Sequence, residues 1–381
     1  MAGALPQLRW AQVRAWRTAR HQLAERAPAG AMLEVAARIA GLHAQVMSSA
    51  ELTLWARVDG LRPDAVRHAL WEERSLVKTW AMRGTLHLLP AAELPLWQAA
   101  LSTRRGWETG AWQRGFGVTS EELERLVDAV AEALKDRQLT RGELADEVAR
   151  LTGSDRLGDR LRESWGALLK PAAALGKLCF APSQGQQVRF TRPDTWLGDW
   201  TALDPDEAMA AVTRRFLAAS GPVTREDFAR WWGIPSPARG ARLLERLGDE
   251  LAWVEVEGTA ACMLAADLPG LAGTGAGGSR TVRLLPAFDQ YVVTATLQAG
   301  QLMPGPFKAR VYRPQGWLSP VLLVGGRMDG TWRQQTKGRR LLVTIEPFTD
   351  PPGWARRAAE AEAERLAAFT GGQLELTWAG A

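Results

Sequence analysis

An α+β fold, with tandem helical units first and a β-rich domain last, is predicted from three features of the 381-residue sequence. A helix, a Thr-capped helix, a third helix and a hairpin follow one another twice. A Gly-rich run within 267–279 then interrupts the regular patterning. Beyond it, short apolar segments at strand spacing replace the helical periodicity.

The elements read as follows. Apolar spacing predicts helices over 8–25 and 31–40, with Gly41 as the stop of the second. Ser48 and Glu51 have the spacing of a capping box, so a helix restarts at about Ser49. Arg62-Pro63-Asp64 opens another helix, and 76–80 with 86–89 reads as a hairpin around Arg83-Gly84. The first full repeat has a helix over 120–135, a helix capped by Thr140, a third over 160–175, and a hairpin from 177–180 and 187–190. Its counterpart has a helix over 206–219, a helix capped by Thr224, a third over 239–247, and a hairpin around Gly258. Both copies share Thr-Arg-x-acidic-apolar-Ala at the cap, which supports a true internal repeat. Helix, capped helix, helix, hairpin is the winged-helix order.

These readings place a divergent winged-helix-like unit at 1–115, winged helices at 116–203 and 204–268, a flexible linker at 269–279 and the β-rich domain at 280–381. In the last, strands are expected at 282–285, 291–295, 310–312, 321–325, 330–334, 341–345 and 374–378, with one helix over 354–368.

Composition narrows the function classes. Hydrophobic residues at 46% and charged residues at 23% are globular values, and exclude a disordered tail or a disulfide-stapled miniprotein. No apolar run approaches the ~18 residues of a spanning helix, so no membrane partner is expected. The N-terminus lacks a signal-peptide pattern. Cys179 and Cys262 show neither metal spacing nor a redox pair, so a reducing cytoplasm is expected. The net charge of +5 permits nucleic-acid binding without demanding it. Of the 47 basic residues 41 are Arg, suited to phosphate and base contacts, although GC-rich coding accounts for such a bias as well.

There is no Walker A loop, Rossmann fingerprint, G-x-S-x-G or H-E-x-x-H motif, and His21, His43, His68 and His87 have no metal-ligand spacing. The segment Gly41-Leu42-His43-Ala44-Gln45-Val46-Met47-Ser48 lies between a helix stop and a helix start. In an extended connector, residues two apart point the same way, so His43 and Gln45 can converge on one spot. The same pair can instead satisfy backbone groups at a helix–helix turn.

Around this segment the chain resembles the AlkZ-like winged-helix DNA glycosylases, whose hallmark is Gln-or-His, an apolar residue, then Gln. The likeness is carried by His43-Ala44-Gln45 within Leu42–Leu52, by Leu54-Trp55-Ala56-Arg57-Val58 and by Trp80-Ala81-Met82-Arg83-Gly84-Thr85-Leu86-His87. It continues through Leu284-Leu285-Pro286-Ala287-Phe288-Asp289-Gln290-Tyr291 and Gly326-Arg327-Met328-Asp329-Gly330-Thr331-Trp332-Arg333. The chain departs from the Gln-x-Gln form by carrying His43 first, and it has Val292-Val293-Thr294-Ala295 where relatives tend to continue with glycine and charged residues. The resemblance implies three tandem winged helices in a C-shape around double-stranded DNA plus the β-domain, in a monomer. It implies a monofunctional glycosylase that excises alkylated purines, including N7-alkylguanine, bulky adducts and interstrand crosslinks, with no cofactor or metal. His43 and Gln45 are then the catalytic candidates. A non-catalytic winged-helix regulator and a protein-binding scaffold stay open beside this reading.

Further candidates for DNA or pocket contact are Arg83, Thr85 and His87, which alternate on one strand face. Asp289 stands at a strand entrance, and Arg327, Arg333 and Lys337 lie in the β-domain hairpins beside Arg339 and Arg340. A polar hairpin, a turn cap and a solvated face are the respective structural alternatives. Arg104-Arg105-Gly106-Trp107, with Trp112 and Arg114, interleaves cations and aromatics in a way that suits DNA contact or simple helix packing.

Overall fold

Three threonines set the helical framework. In the computed structural model, which describes residues 4–198, 200–275 and 279–380, Thr119, Thr140 and Thr224 each accept from the backbone N–H three residues on. Glu122, Glu143 and Asp227 return the bond to the threonine N–H at 2.9, 2.7 and 2.9 Å. Each such cap is worth roughly 0.5–2 kcal/mol and fixes where its helix begins. The chain forms two compact units, 67–212 and 1–66 with 213–381.

The 67–212 unit holds the hairpin Leu76–Trp80 with Leu86–Pro90, the helices Ser120–Ala133, Arg141–Thr152 and Asp155–Glu163, and the hairpin Cys179–Gln184 with Gln187–Thr191. Leu126, Val130, Leu144, Val148, Leu161, Leu168 and Phe190 meet in its core. The helix expected over 160–175 is instead two, Asp155–Glu163 and Lys170–Ala174. Trp165 and Gly166 at φ 52° and 85° leave the helical region and break it.

The other unit contains both chain ends. Strand Gln7–Leu8 pairs in parallel with Leu251–Val256, itself one arm of the hairpin with Thr259–Leu264. The five-stranded sheet runs in the order Val282–Leu285, Val321–Val324, Arg327–Lys337, Arg340–Pro347, Gln373–Trp378. The last strand is parallel to its neighbour, and helix Gly353–Thr370 makes the crossover.

Four expectations are corrected here. Residues 291–295 and 310–312 are not strands but lie in the short helices Gln290–Thr294 and Lys308–Val311, with Tyr312 in an isolated bridge. The β-branched run Val292-Val293-Thr294 favours a strand, but the Asp289 side chain caps the helix by accepting from the Tyr291 N–H. The expected linker begins with a helix, Leu268–Ala272, anchored by buried Leu271; its residues 276–278 lie outside the described residues. The Ser48–Glu51 capping box does not form. Helix Met47–Trp55 starts one residue before Ser48, with Val46 at its N-cap at φ −118° and ψ 114°, because the extended connector runs on that far.

Arg57 and Asp289 form a bidentate ion pair at 2.7 and 2.8 Å with no exposed side-chain surface on either partner. Removing one partner leaves an uncompensated buried charge. Arg57→Met is therefore expected to destabilise the fold by about 3–5 kcal/mol in denaturant titration. Replacing both partners by apolar residues should cost less than the single change.

Candidate active site

The His43 connector is made by the way one helix ends and the next begins. Helix Met32–Arg38 closes with Ala40 and Gly41 at φ 59° and 87°, and the Gly41 N–H donates to the Ala36 carbonyl at 2.8 Å. That left-handed stop throws the chain into the extended pair Leu42–His43. Leu42, His43 and Ala44 are buried, and Gln45 is exposed. The connector thus presents one polar side chain to solvent and keeps the other packed two residues before it.

Four consecutive residues, Phe288 to Tyr291, fasten this connector and its surroundings. Phe288 sits at φ 59°, where an L-residue costs about 1–2 kcal/mol. The turn lays its ring flat on the His43 imidazole, with centroids 4.7 Å apart and 10° between planes. Asp289 holds Arg57, whose remaining N–H groups donate to the carbonyls of His21 and Thr53, both at 2.9 Å. The Gln290 amide donates to the Gly41 carbonyl at 2.8 Å, at the root of the connector. The Tyr291 hydroxyl donates to the Gly326 carbonyl at 2.6 Å. His43 is therefore set by a ring on its face and by a clamp on the residue two before it.

His21 completes this interior. Its ring packs edge-on against Tyr291, with centroids 5.2 Å apart. Among the described residues neither of its ring nitrogens finds a hydrogen-bond partner. Burial first, then the Arg57 and Arg17 cations, hold its pKa well below 6.5.

The remaining candidates fall into three places. Thr85 and His87 stand at the second arm of the 76–90 hairpin. The Thr85 hydroxyl donates to the Met82 carbonyl at 3.1 Å, and His87, fully buried, has Nδ1 3.0 Å from the Thr85 carbonyl. Arg83 does not alternate with them on a strand face. It occupies the turn Met82–Gly84 at φ 58°. Asp289 has no exposed surface, pairs with Arg57 and caps the 290–294 helix. Arg327 pairs with Asp329 at 2.7 Å and Arg333 with Glu346 at 2.7 Å. Arg333 and Lys337 lie on the exposed outer half of the 327–347 hairpin, with Arg339 and Arg340 at its tip.

Sequence reasoning passed over several residues. Arg57 and Gln290 lie inside recognised segments, but their partners are more than two hundred positions away. Lys170 is a second omission. Its pKa is lowered by burial and by the nearby Arg104 cation, and it makes no ion pair among the described residues. Its Nζ lies beside the Met82–Gly84 turn, 3.6 Å from where a Gly84 Cβ would stand. Trp165, 90% exposed, is a third. The Trp165-Gly166 pair inside an apparent helix was the available signal.

Around the connector, then, stand a buried ion pair, a ring over the His43 imidazole and one exposed amide, Gln45. The family model for AlkZ-like DNA glycosylases matches residues 36–369, and the chain belongs to that family. It is a DNA glycosylase. An interstrand DNA cross-link repair glycosylase from Streptomyces sahachiroi is 36% identical over 369 residues, covering 95% of this chain and 96% of the relative. The solved structure of the Streptomyces sahachiroi DNA glycosylase AlkZ superposes with a TM-score of 0.87 at 34% identity, covering 98% of this chain and all of that one. Family membership favours the catalytic reading over the regulator and the scaffold. Among the described residues no helix is long and apolar enough to cross a membrane.

The buried imidazole of His21 gives a pH signature. The unfolded chain takes up a proton on this side chain below about pH 6.5, whereas the folded chain resists it. This contribution is flat above that pH and turns destabilising as pH falls below it, by about 1.4 kcal/mol per pH unit until the folded pKa is reached. The drop in Tm between pH 7 and pH 5 is expected to be smaller in His21→Phe than in the wild type.

Proposed function

We propose that this glycosylase hydrolyses the N-glycosidic bond of alkylated purines in double-stranded DNA, N7-alkylguanine first, with bulky adducts and interstrand crosslinks in the same class. The observation that carries the reading is the His43-Ala44-Gln45 connector, held by Phe288 and Gln290 while Gln45 is left open to solvent. The name of the Streptomyces sahachiroi relative supports the crosslink class.

The chemistry asks little of the protein. Alkylation at N7 gives the purine a positive charge. When the C1′–N9 bond breaks, its electron pair neutralises that charge, so no strong general acid is needed. The sugar passes through an oxocarbenium-like state and water adds at C1′. Gln45 accepts a hydrogen bond from that water through its amide oxygen and aims it at C1′. His43 takes up the proton the water releases, or holds the water from the other side. The products are the neutral alkylpurine and an abasic sugar.

Within this reading the two helix–helix–helix–hairpin units act as winged helices on the duplex, with a more divergent unit before them. Arg333, Lys337 and Arg327 on the 327–347 hairpin supply backbone contacts, as do Arg83 and Lys170 at the 76–90 hairpin. Thr85 and His87 brace that second place.

Gln45→Ala is expected to slow single-turnover release of 7-methylguanine from methylated duplex by about 10²–10⁴-fold while duplex affinity stays unchanged. Equal release by wild type and variant would remove Gln45 from the mechanism. Lys170→Ala and Lys337→Ala are each expected to reduce the slope of log K against log salt by about 0.9 in duplex-binding titrations.

A further inference from the structure

A base lesion needs a wall to rest on, and the sequence offers 18 tryptophans with no means of choosing among them. The structure narrows the choice. Phe288, whose one face covers His43, meets Trp317 edge-to-face, with centroids 4.9 Å apart and 77° between planes. His43, Phe288 and Trp317 form one continuous aromatic run. His43 is 5% and Phe288 8% exposed, whereas Trp317 is 49% exposed. The run begins at the polar connector and ends on an open indole.

The loop that carries this indole is braced, which sets it apart from a loosely held surface tryptophan. The turn Pro314–Gly316 uses left-handed backbone at Gln315 and Gly316, at φ 59° and 77°. The Arg313 N–H donates to the Trp317 carbonyl at 2.8 Å, and the Trp317 N–H donates to the Pro314 carbonyl at 3.3 Å. Two residues on, the Ser319 N–H and hydroxyl donate to the carbonyls of Val311 and Arg310 at 2.9 and 2.8 Å. An apolar ring of this size, fixed and half open to water beside a catalytic connector, has no packing role that accounts for its free half.

We propose that the free face of Trp317 is the wall against which the alkylated purine is held, and that it selects the cationic base through its ring quadrupole. The inference rests on the glycosylase reading above and assigns a specificity residue to it. An N7-alkylated purine is a delocalised cation, and an indole face attracts a cation more strongly than the other aromatic side chains do. The neutral guanine of undamaged DNA gains only ordinary stacking. The same contact weakens as the glycosidic bond breaks and the base loses its charge, which favours product release.

The test compares equilibrium binding to two duplexes that differ at one position. One carries 2′-fluoro-7-methylguanosine, whose glycosidic bond resists hydrolysis, and the other 2′-fluoroguanosine. Selectivity is the ratio of the two Kd values. Trp317→Leu, which keeps an apolar side chain without the quadrupole, is expected to lower that ratio by about three- to tenfold, with Trp317→Phe between it and the wild type. Melting temperatures read alongside separate lost folding from lost recognition. If Trp317→Leu does not fold, a ratio in Trp317→Phe below that of the wild type sustains the assignment. A ratio unchanged in the folded variants overturns it, as does a wild type that releases 7-methylguanine yet binds both duplexes equally. A wild type that releases no alkylated base at all would instead remove the function on which the assignment rests.

Discussion

A single buried ion pair, Arg57 with Asp289, joins the two ends of the sequence that make the site. Arg57 stands two residues past the helix Met47–Trp55 that follows the His43 connector, and Asp289 follows the first strand of the C-terminal sheet. Neither charge has access to water, so each is tolerable only through the other and through the carbonyls of His21 and Thr53. The pairing is directional as well as strong, because a guanidinium fork meets a carboxylate in one plane. Once Asp289 is fixed, its neighbours are fixed too. Phe288 is delivered to the imidazole on one side, and Gln290 to the Gly41 carbonyl on the other. The geometry of the connector is thus inherited from a charge pair that has no exposed side-chain surface.

The arrangement suits the reaction assigned to it. In the proposed excision of an alkylated purine, a cationic leaving group supplies most of the driving force, so placement matters more than acid strength. A short, extended, tightly clamped segment gives placement. It carries one exposed amide and one imidazole held flat by a ring, and no pre-activated nucleophile. His21, nearer the ion pair, is buried edge-on against Tyr291, and burial followed by the Arg57 and Arg17 cations holds its pKa well below the usual imidazole value.

Much of the architecture was legible because it rests on local rules. The caps at Thr140 and Thr224, the hairpins at 76–90 and 251–264 and the stop at Gly41 follow from residues within four positions of one another. The failures have a common cause. The 291–295 segment carries strand-forming side chains, but its helix is imposed by Asp289, which is itself positioned by a residue 232 positions away. The helix over 160–175 was broken by Trp165, a residue that fits a helix by propensity and leaves it by backbone geometry. In the site, the spacing places His43 and Gln45 on one extended connector where both can converge on one spot, but it did not show that His43 is buried and Gln45 exposed. The partners that hold His43 could not be read, because a ring stack between positions 43 and 288 leaves no periodic trace in a single chain. Arg83 shows the reverse error, in which alternation in sequence suggested a shared face that a left-handed turn removes.

The unit that houses His43 is assembled from residues 1–66 and 213–381, with the other unit inserted between them. During synthesis on a ribosome, the early segment emerges first and has to wait for partners more than two hundred codons downstream, while the intervening segment can already fold. A prematurely terminated product would hold an imidazole with nothing over its ring and an arginine without its carboxylate. Only a polypeptide read past Tyr291 holds both the connector and the four residues that fasten it.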